Sequence, residues 1–446
     1  MELLKKATTG YSRGRSKVTN KQFLADIRNT YIVDEDDDQD LLEKVGELRS
    51  ALELLLNQDK AFFDGSFSSA TLSHYLLASS DPSDSGTGKF MAEVLANDES
   101  KDVIKILREV LQDENDNIYL LASPLLSTKD MGAELFTSES IKEIIEDSPH
   151  LQSAQDAFIN LSRYRHTLEK TVFLQRVVTL GCFSIYLHLT NKKDESNENA
   201  FSPIFLAAPE PTREIREVSR ASFARGRQRI EIGYEEGLKK EIEKEWGTEL
   251  SKEDYIKIIK SLLPELDNNP SSINQDVQIW NRFIEDFEGN LLGTSNASEA
   301  FTKAFVRTSF SFFNKAKSNK ENPEKVSASI GRNIGLVYPR EGGPGDKYYL
   351  PGPRFLDTLV FSLLDPNEEI SIEDFWDRAW EKFGIITGAR GTKDIKRLAS
   401  WGIRQVSPKE ASKNARKITY ELIRMGYVTE YADDIAMIRG GGVINE

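Results

Sequence analysis

The most constraining feature of this chain is the punctuation of residues 355–439. Helix starts and stops recur there at short intervals, each written in residues that set a backbone boundary. Pro351-Gly352-Pro353 precedes an apolar run, 355–364, which Asp365-Pro366-Asn367 ends. A short strand is expected at 368–371. Ser371 stands where an N-cap belongs, with Asp374 three residues on, ahead of a helix at 372–383. Ile372, Phe375, Trp376, Ala379 and Phe383 share one face of that helix, and Gly384 follows as the residue that turns out of it. Ser407-Pro408 repeats the start signal, with proline at the first helical position. The helix 408–425 stops at Gly426. Residues 427–431 and 435–439 then alternate as a hairpin around Asp433-Asp434.

Helix, short strand, helix, helix and hairpin, with Gly426-Tyr427-Val428 leading into the hairpin, resembles the winged-helix superfamily. The segment 385–406, between the second and third helices, is longer than that superfamily usually carries. The resemblance implies a third helix that enters the DNA major groove and a hairpin that touches the backbone. In this sequence the helix carries Lys409, Lys413, Arg416, Lys417, Tyr420 and Arg424 as one stripe. Ala411, Ala415, Ile418, Leu422 and Met425 form the opposite, apolar face. A stripe of about five cations neutralises several phosphates and gives salt-sensitive, sequence-poor affinity. Arg390, Lys393, Lys396, Arg397 and Arg404 of the longer segment are expected to add to it. Against this, Glu430, Asp433 and Asp434 in the hairpin repel phosphate, and many winged helices bind only protein. DNA, RNA and protein all remain open as the ligand.

The rest of the chain reads as helical. Spacings of three and four mark amphipathic helices at 40–57, 103–111, 252–263 and 277–291, and a serine-led helix start at 138–145. Residues 157–189 read as one long helix or two, buried after Val172. Strands are sparse, with weak candidates at 204–207 and 336–338. Clusters of Pro, Gly, Ser and Asn at 79–88, 190–203, 267–275, 314–325 and 339–353 break the chain. The expected fold class is mainly α: a multi-domain helical protein with a small α+β winged-helix-like C-terminal domain. Its expected parts are 1–150, with a basic and then acidic leader, 151–340 and 341–446.

Net charge is −14, which argues against a nucleic-acid binder over its whole surface but not against local patches. Residues 5–28 hold seven basic and one acidic residue, 34–40 are acidic, and 213–229 hold six arginines and two glutamates. In that last cluster Arg220, Arg225 and Arg227, with Phe223 among them, are candidates to grip phosphates and stack on bases. Pairing with Glu214, Glu217 and Glu231 is the alternative. A basic arm around Gly10–Lys17 is expected to be an ordinary terminus.

No chemical signature stands out. The four histidines (74, 150, 166 and 188) lack metal-ligand spacing, and the single cysteine, Cys182, reads as a buried thiol. Gly342–Lys347 and Gly388–Lys393 lack phosphate-loop spacing and read as turns. The first residues lack an apolar signal core, and 172–189 reads as a buried helix rather than a membrane span, so the expected setting is cytoplasmic. Enzyme status is open, with a non-catalytic role preferred and no cofactor, catalytic residue or metal ligand assigned. Three readings follow. The first is a non-catalytic subunit of a multi-protein prokaryotic DNA-associated assembly. In general look it is similar to the large helical accessory proteins of anti-phage defence operons. The second is a helical scaffold or adaptor that binds only protein. The third is a divergent metal-dependent nuclease. Expected partners are other protein subunits and DNA, with no membrane and no small-molecule substrate.

Overall fold

The computed structural model of the chain describes residues 87–96, 150–191, 201–246, 250–262, 273–293, 296–315, 323–339, 341, 344–403, 406–431 and 435–441. Helices expected at 40–57, 103–111 and 138–145 lie outside these residues, as do the basic arm and the acidic run.

Helix dominates. The elements are α1 (Thr87–Ala96), α2 (Leu151–Ser162), α3 (Lys170–Thr190), β1 (Ile204–Phe205), α4 (Arg213–Trp246), α5 (Lys252–Leu262), α6 (Ile273–Gly293), α7 (Ala297–Lys315), α8 (Pro323–Asn333), β2 (Val337–Tyr338) and β3 (Tyr348–Tyr349). There follow α9 (Pro353–Leu363), β4 (Glu369–Ser371), α10 (Ile372–Phe383), β5 (Ile385–Ile386), α11 (Thr392–Ser400), α12 (Pro408–Arg424), β6 (Val428–Glu430) and β7 (Ala436–Arg439). Residues 157–189 thus divide into two helices.

The local boundary signals act as their chemistry requires. The Ser371 hydroxyl accepts from the Asp374 N–H at 3.1 Å, and Gly384 leaves α10 in the left-handed conformation, φ 69°. The Ser407 hydroxyl accepts from the Glu410 N–H at 3.3 Å, and Pro408 opens α12. Each such cap satisfies an orphan helix-end donor, worth about 1 kcal/mol. β4, β7 and β6 form a three-stranded antiparallel sheet in that order, with Ile370 opposite Ile438 and Val428 opposite Ile438. One face of it turns Val428 and Ile438 into the core.

That core is continuous across residue 340. Phe90 of α1, Phe158 of α2, Phe183 of α3, Leu359 of α9, Phe375 of α10, Leu422 of α12 and Ile438 of β7 belong to one apolar cluster. A polar clamp reinforces it: Arg176 of α3 makes two hydrogen bonds to the Asp357 carboxylate of α9, 2.7 and 2.9 Å. Tyr427, at the exit of α12, donates to the same carboxylate. The Arg176 guanidinium lies 3.7 Å from the Phe361 ring centroid. A second cluster packs Phe205, Ile386, Leu398 and Trp401, and a third packs Tyr255, Phe283, Phe287 and Phe301 of α5, α6 and α7.

The long segment after α10 is an anchor. β5 pairs in parallel with β1, Ile385 beside Ile204 and Ile386 beside Phe205. Gly388, φ 93°, passes so close to α12 that a Cβ there would stand 2.5 Å from the Ala411 carbonyl oxygen. Only glycine fits that crossing. Asn414, 3% exposed, completes it. Its amide donates to the Leu206 and Thr387 carbonyls at 2.8 and 2.9 Å and accepts from the Ala208 N–H at 2.7 Å. The inner face of α12 is therefore fixed by apolar packing and by three hydrogen bonds.

Candidate nucleic-acid interface

Locking the inner face of α12 leaves its outer face free. Lys409, Lys413, Arg416, Lys417, Tyr420 and Arg424 are all exposed, Tyr420 at 61%. At 1.5 Å per residue the stripe runs roughly 22 Å. Its charge is partly spent within the fold. Lys413 pairs with Glu410 at 2.9 Å and Arg424 with Glu421 at 3.1 Å. The Lys417 ammonium donates to the Glu210 carbonyl at 3.3 Å. Among the described residues no carboxylate pairs with Lys409 or Arg416. The hydrogen bond from Lys413 holds the Glu410 carboxyl below its usual range.

Three of the cations expected to extend the stripe from 385–406 are paired within the fold instead. Arg390 pairs with Glu373 (2.7 Å) and Asp377 (3.0 Å), Lys393 with Asp377 (3.0 Å), and Arg397 with Asp394 (2.8 Å) and Asp377 (3.1 Å). Burial pushes the Asp377 carboxyl up, but hydrogen bonds from Lys393 and Arg397 outweigh it and hold the group below its usual range. Lys396 is exposed, and Arg404 lies outside the described residues. Three of the five cations are thus neutralised by acids of α10 and α11. The reason is tertiary: the fold brings α10 alongside α11.

The arginine cluster is a helix, the first turns of α4, and its members point to different surroundings. Arg213 is exposed and pairs with Glu217 at 2.8 Å. Arg220, half-buried, stands 3.8 Å from Asp346. Arg225 donates to Gln228 at 2.9 Å and lies beside Gly402. Arg227 is half-buried. Arg229 is buried over the Trp401 ring, 5.1 Å from its centroid. Phe223 is not a stacking face; it is buried edge-on against Tyr349, 5.6 Å between centroids. Arg220 and Arg225 thus meet different neighbours, Asp346 and Gly402. Tyr338, which no spacing in the sequence marks, is exposed and packs on Tyr348, whose ring centroid lies 5.8 Å from the Arg216 guanidinium.

Cys182 is half-buried, and burial pushes its thiol up. His150 and His188 are both buried; His188 stacks on Phe90 at 4.5 Å and His150 lies 4.3 Å from Phe201. Lys347 closes its own turn, donating to the Pro339 and Glu341 carbonyls at 2.5 and 2.8 Å, so it does not face outward as a phosphate-loop lysine would. Among the described residues no three His, Cys, Asp or Glu side chains gather as a metal site. Among the described residues one helical span, Thr171–Thr190, is long and apolar enough to cross a membrane, and 61% of its most apolar window is buried inside the fold. In the hairpin, Glu430, Tyr431 and Ile435 are exposed, whereas Asp433 and Asp434 lie outside the described residues. No protein-family model, curated protein or solved structure matches this chain.

Proposed function

We propose that residues 341–446 carry a winged-helix-like module whose α12 face contacts nucleic acid. On this reading the chain is a non-catalytic, cytoplasmic subunit of a multi-protein prokaryotic assembly acting on DNA, of the kind found in anti-phage defence. The observation that supports this most is the outer face of α12. Its cations project from a helix whose inner face is fixed by Asn414 and by close packing on Gly388. A rigid cationic helix presents phosphates with preordered charges, so little side-chain and backbone ordering is lost on binding. The strand order β4–β7–β6 beside α10 and α12 is compatible with that architecture. The hairpin favours a further, protein-facing contact, because Tyr431 and Ile435 expose apolar surface next to Glu430.

The experiment is binding of mixed-sequence duplex DNA by fluorescence anisotropy across a salt series. Lys413/Arg416/Lys417→Ala should flatten the plot of log affinity against log salt by roughly 2 to 3 in slope. Absence of binding by the unaltered protein at low salt ends the nucleic-acid reading and leaves the protein scaffold.

A further inference from the structure

We infer that Tyr338, Arg216 and Arg220 form a stacking platform for single-stranded nucleic acid. It is separate from α12 and shares with the reading above only the class of ligand. Residue alternation in β2 turns Val337 into the core and Tyr338 outward, 47% exposed. The Tyr338 ring meets the buried Tyr348 ring edge-on, centroids 5.6 Å apart at 72°. One aromatic thus braces the other, and Tyr338 keeps nearly half of its surface exposed. The Arg216 guanidinium lies 5.8 Å from the Tyr348 centroid, and Arg220 follows one helical turn later. Asp346 tempers Arg220 at 3.8 Å, and no carboxylate among the described residues pairs with Arg216.

An exposed tyrosine ring braced on Tyr348, with Arg216 approaching that second ring, suits one ligand chemistry: an unstacked base on the Tyr338 ring with its phosphates reaching towards the guanidinium groups of α4. Duplex bases are already stacked on one another and offer only their edges, so a braced ring selects single strands. The platform and the α12 face lie on opposite flanks of α4. Glu214 accepts from the Ser407 N–H at 2.6 Å and Arg229 covers Trp401 on one flank, while Arg216 and Phe223 meet Tyr348 and Tyr349 on the other. The substituted side chains are all exposed and lie on separate elements, β2, α4 and α12.

The test is anisotropy of labelled oligothymidylate, oligouridylate and a hairpin duplex. The proteins compared are the unaltered full chain, Tyr338→Ala, Tyr338→Phe, Arg216→Ala and Lys413/Arg416/Lys417→Ala. Tyr338→Ala should weaken single-strand binding about tenfold, Tyr338→Phe should stay within about twofold, and duplex binding should be unchanged by either. Arg216→Ala should weaken single-strand binding and reduce its salt dependence. A greater loss on oligouridylate than on oligothymidylate assigns the platform to RNA, the reverse to DNA. Equal single-strand binding by the unaltered protein and Tyr338→Ala, or none by the unaltered protein, overturns the inference. Loss of duplex binding alone in the α12 variant bears only on the α12 reading.

Discussion

His150 should make this fold acid-sensitive. The ring is 1% exposed, set against Phe201 at the start of α2. Burial disfavours its charged form, and the positive field of His188 adds to the effect; the nearby Asn191 backbone opposes it. Together they hold the imidazole at about 3, against 6.5 for an ordinary histidine. Above pH 6.5 the ring is neutral in both folded and unfolded chains and stability is unaffected. As pH falls below 6.5 the unfolded chain takes up a proton that the folded one refuses until about pH 3. Stability is thus lost progressively across that window. The loss is roughly 2 kcal/mol by pH 5 and about 4 kcal/mol at pH 3. Urea unfolding followed by circular dichroism at pH 7.5 and pH 5 checks this, with His150→Phe as the non-titrating comparison. The unaltered protein should lose roughly 2 kcal/mol more than His150→Phe over that interval. Identical pH dependence in the two proteins would refute the reasoning.

Three other perturbations probe how α12 and the C-terminal elements are held. Asn414→Ala removes three buried hydrogen bonds and strands two carbonyls and an N–H, so thermal melting should report a loss of about 2–4 kcal/mol. Arg176→Leu leaves the Asp357 carboxylate with only the Tyr427 hydroxyl, and a loss of about 3 kcal/mol in urea unfolding is expected. Gly388→Ala forces a side chain onto the Ala411 carbonyl in a left-handed conformation, so it should cost more than about 1 kcal/mol and raise amide exchange in α12. A melting temperature unchanged by any of these would contradict the corresponding contact.

The C-terminal elements were legible because their signals are local. Ser371, Gly384, Ser407 and Gly426 each act within a few residues, and the boundaries follow from cap chemistry alone. What joins distant segments left no such trace. Ile204 and Ile385 pair as two-residue strands, too short for any alternation to show. The acids that neutralise Arg390, Lys393 and Arg397 come chiefly from α10, and Tyr348, which braces Tyr338, meets Arg216 of α4. Asn414 could have been found: it is the polar residue three after Ala411 and four before Ile418, on the apolar side of α12. A polar side chain in that place is buried and must satisfy its hydrogen bonds. His150 and His188, read as isolated, are brought near each other by the junction of α2 and α3.

The central claim is that α12 contacts nucleic acid through its outer face, and a charge-matched comparison tests it most directly. Lys413/Arg416/Lys417→Ala and Lys257/Lys303/Arg307→Ala remove the same charge, the latter from α5 and α7, at residues already paired with Asp254, Glu299 and Asp286. Duplex affinity measured at low salt should fall at least tenfold in the first variant and by less than about twofold in the second. Equal losses in both would mean that net charge, not the α12 face, governs binding, and would contradict the account.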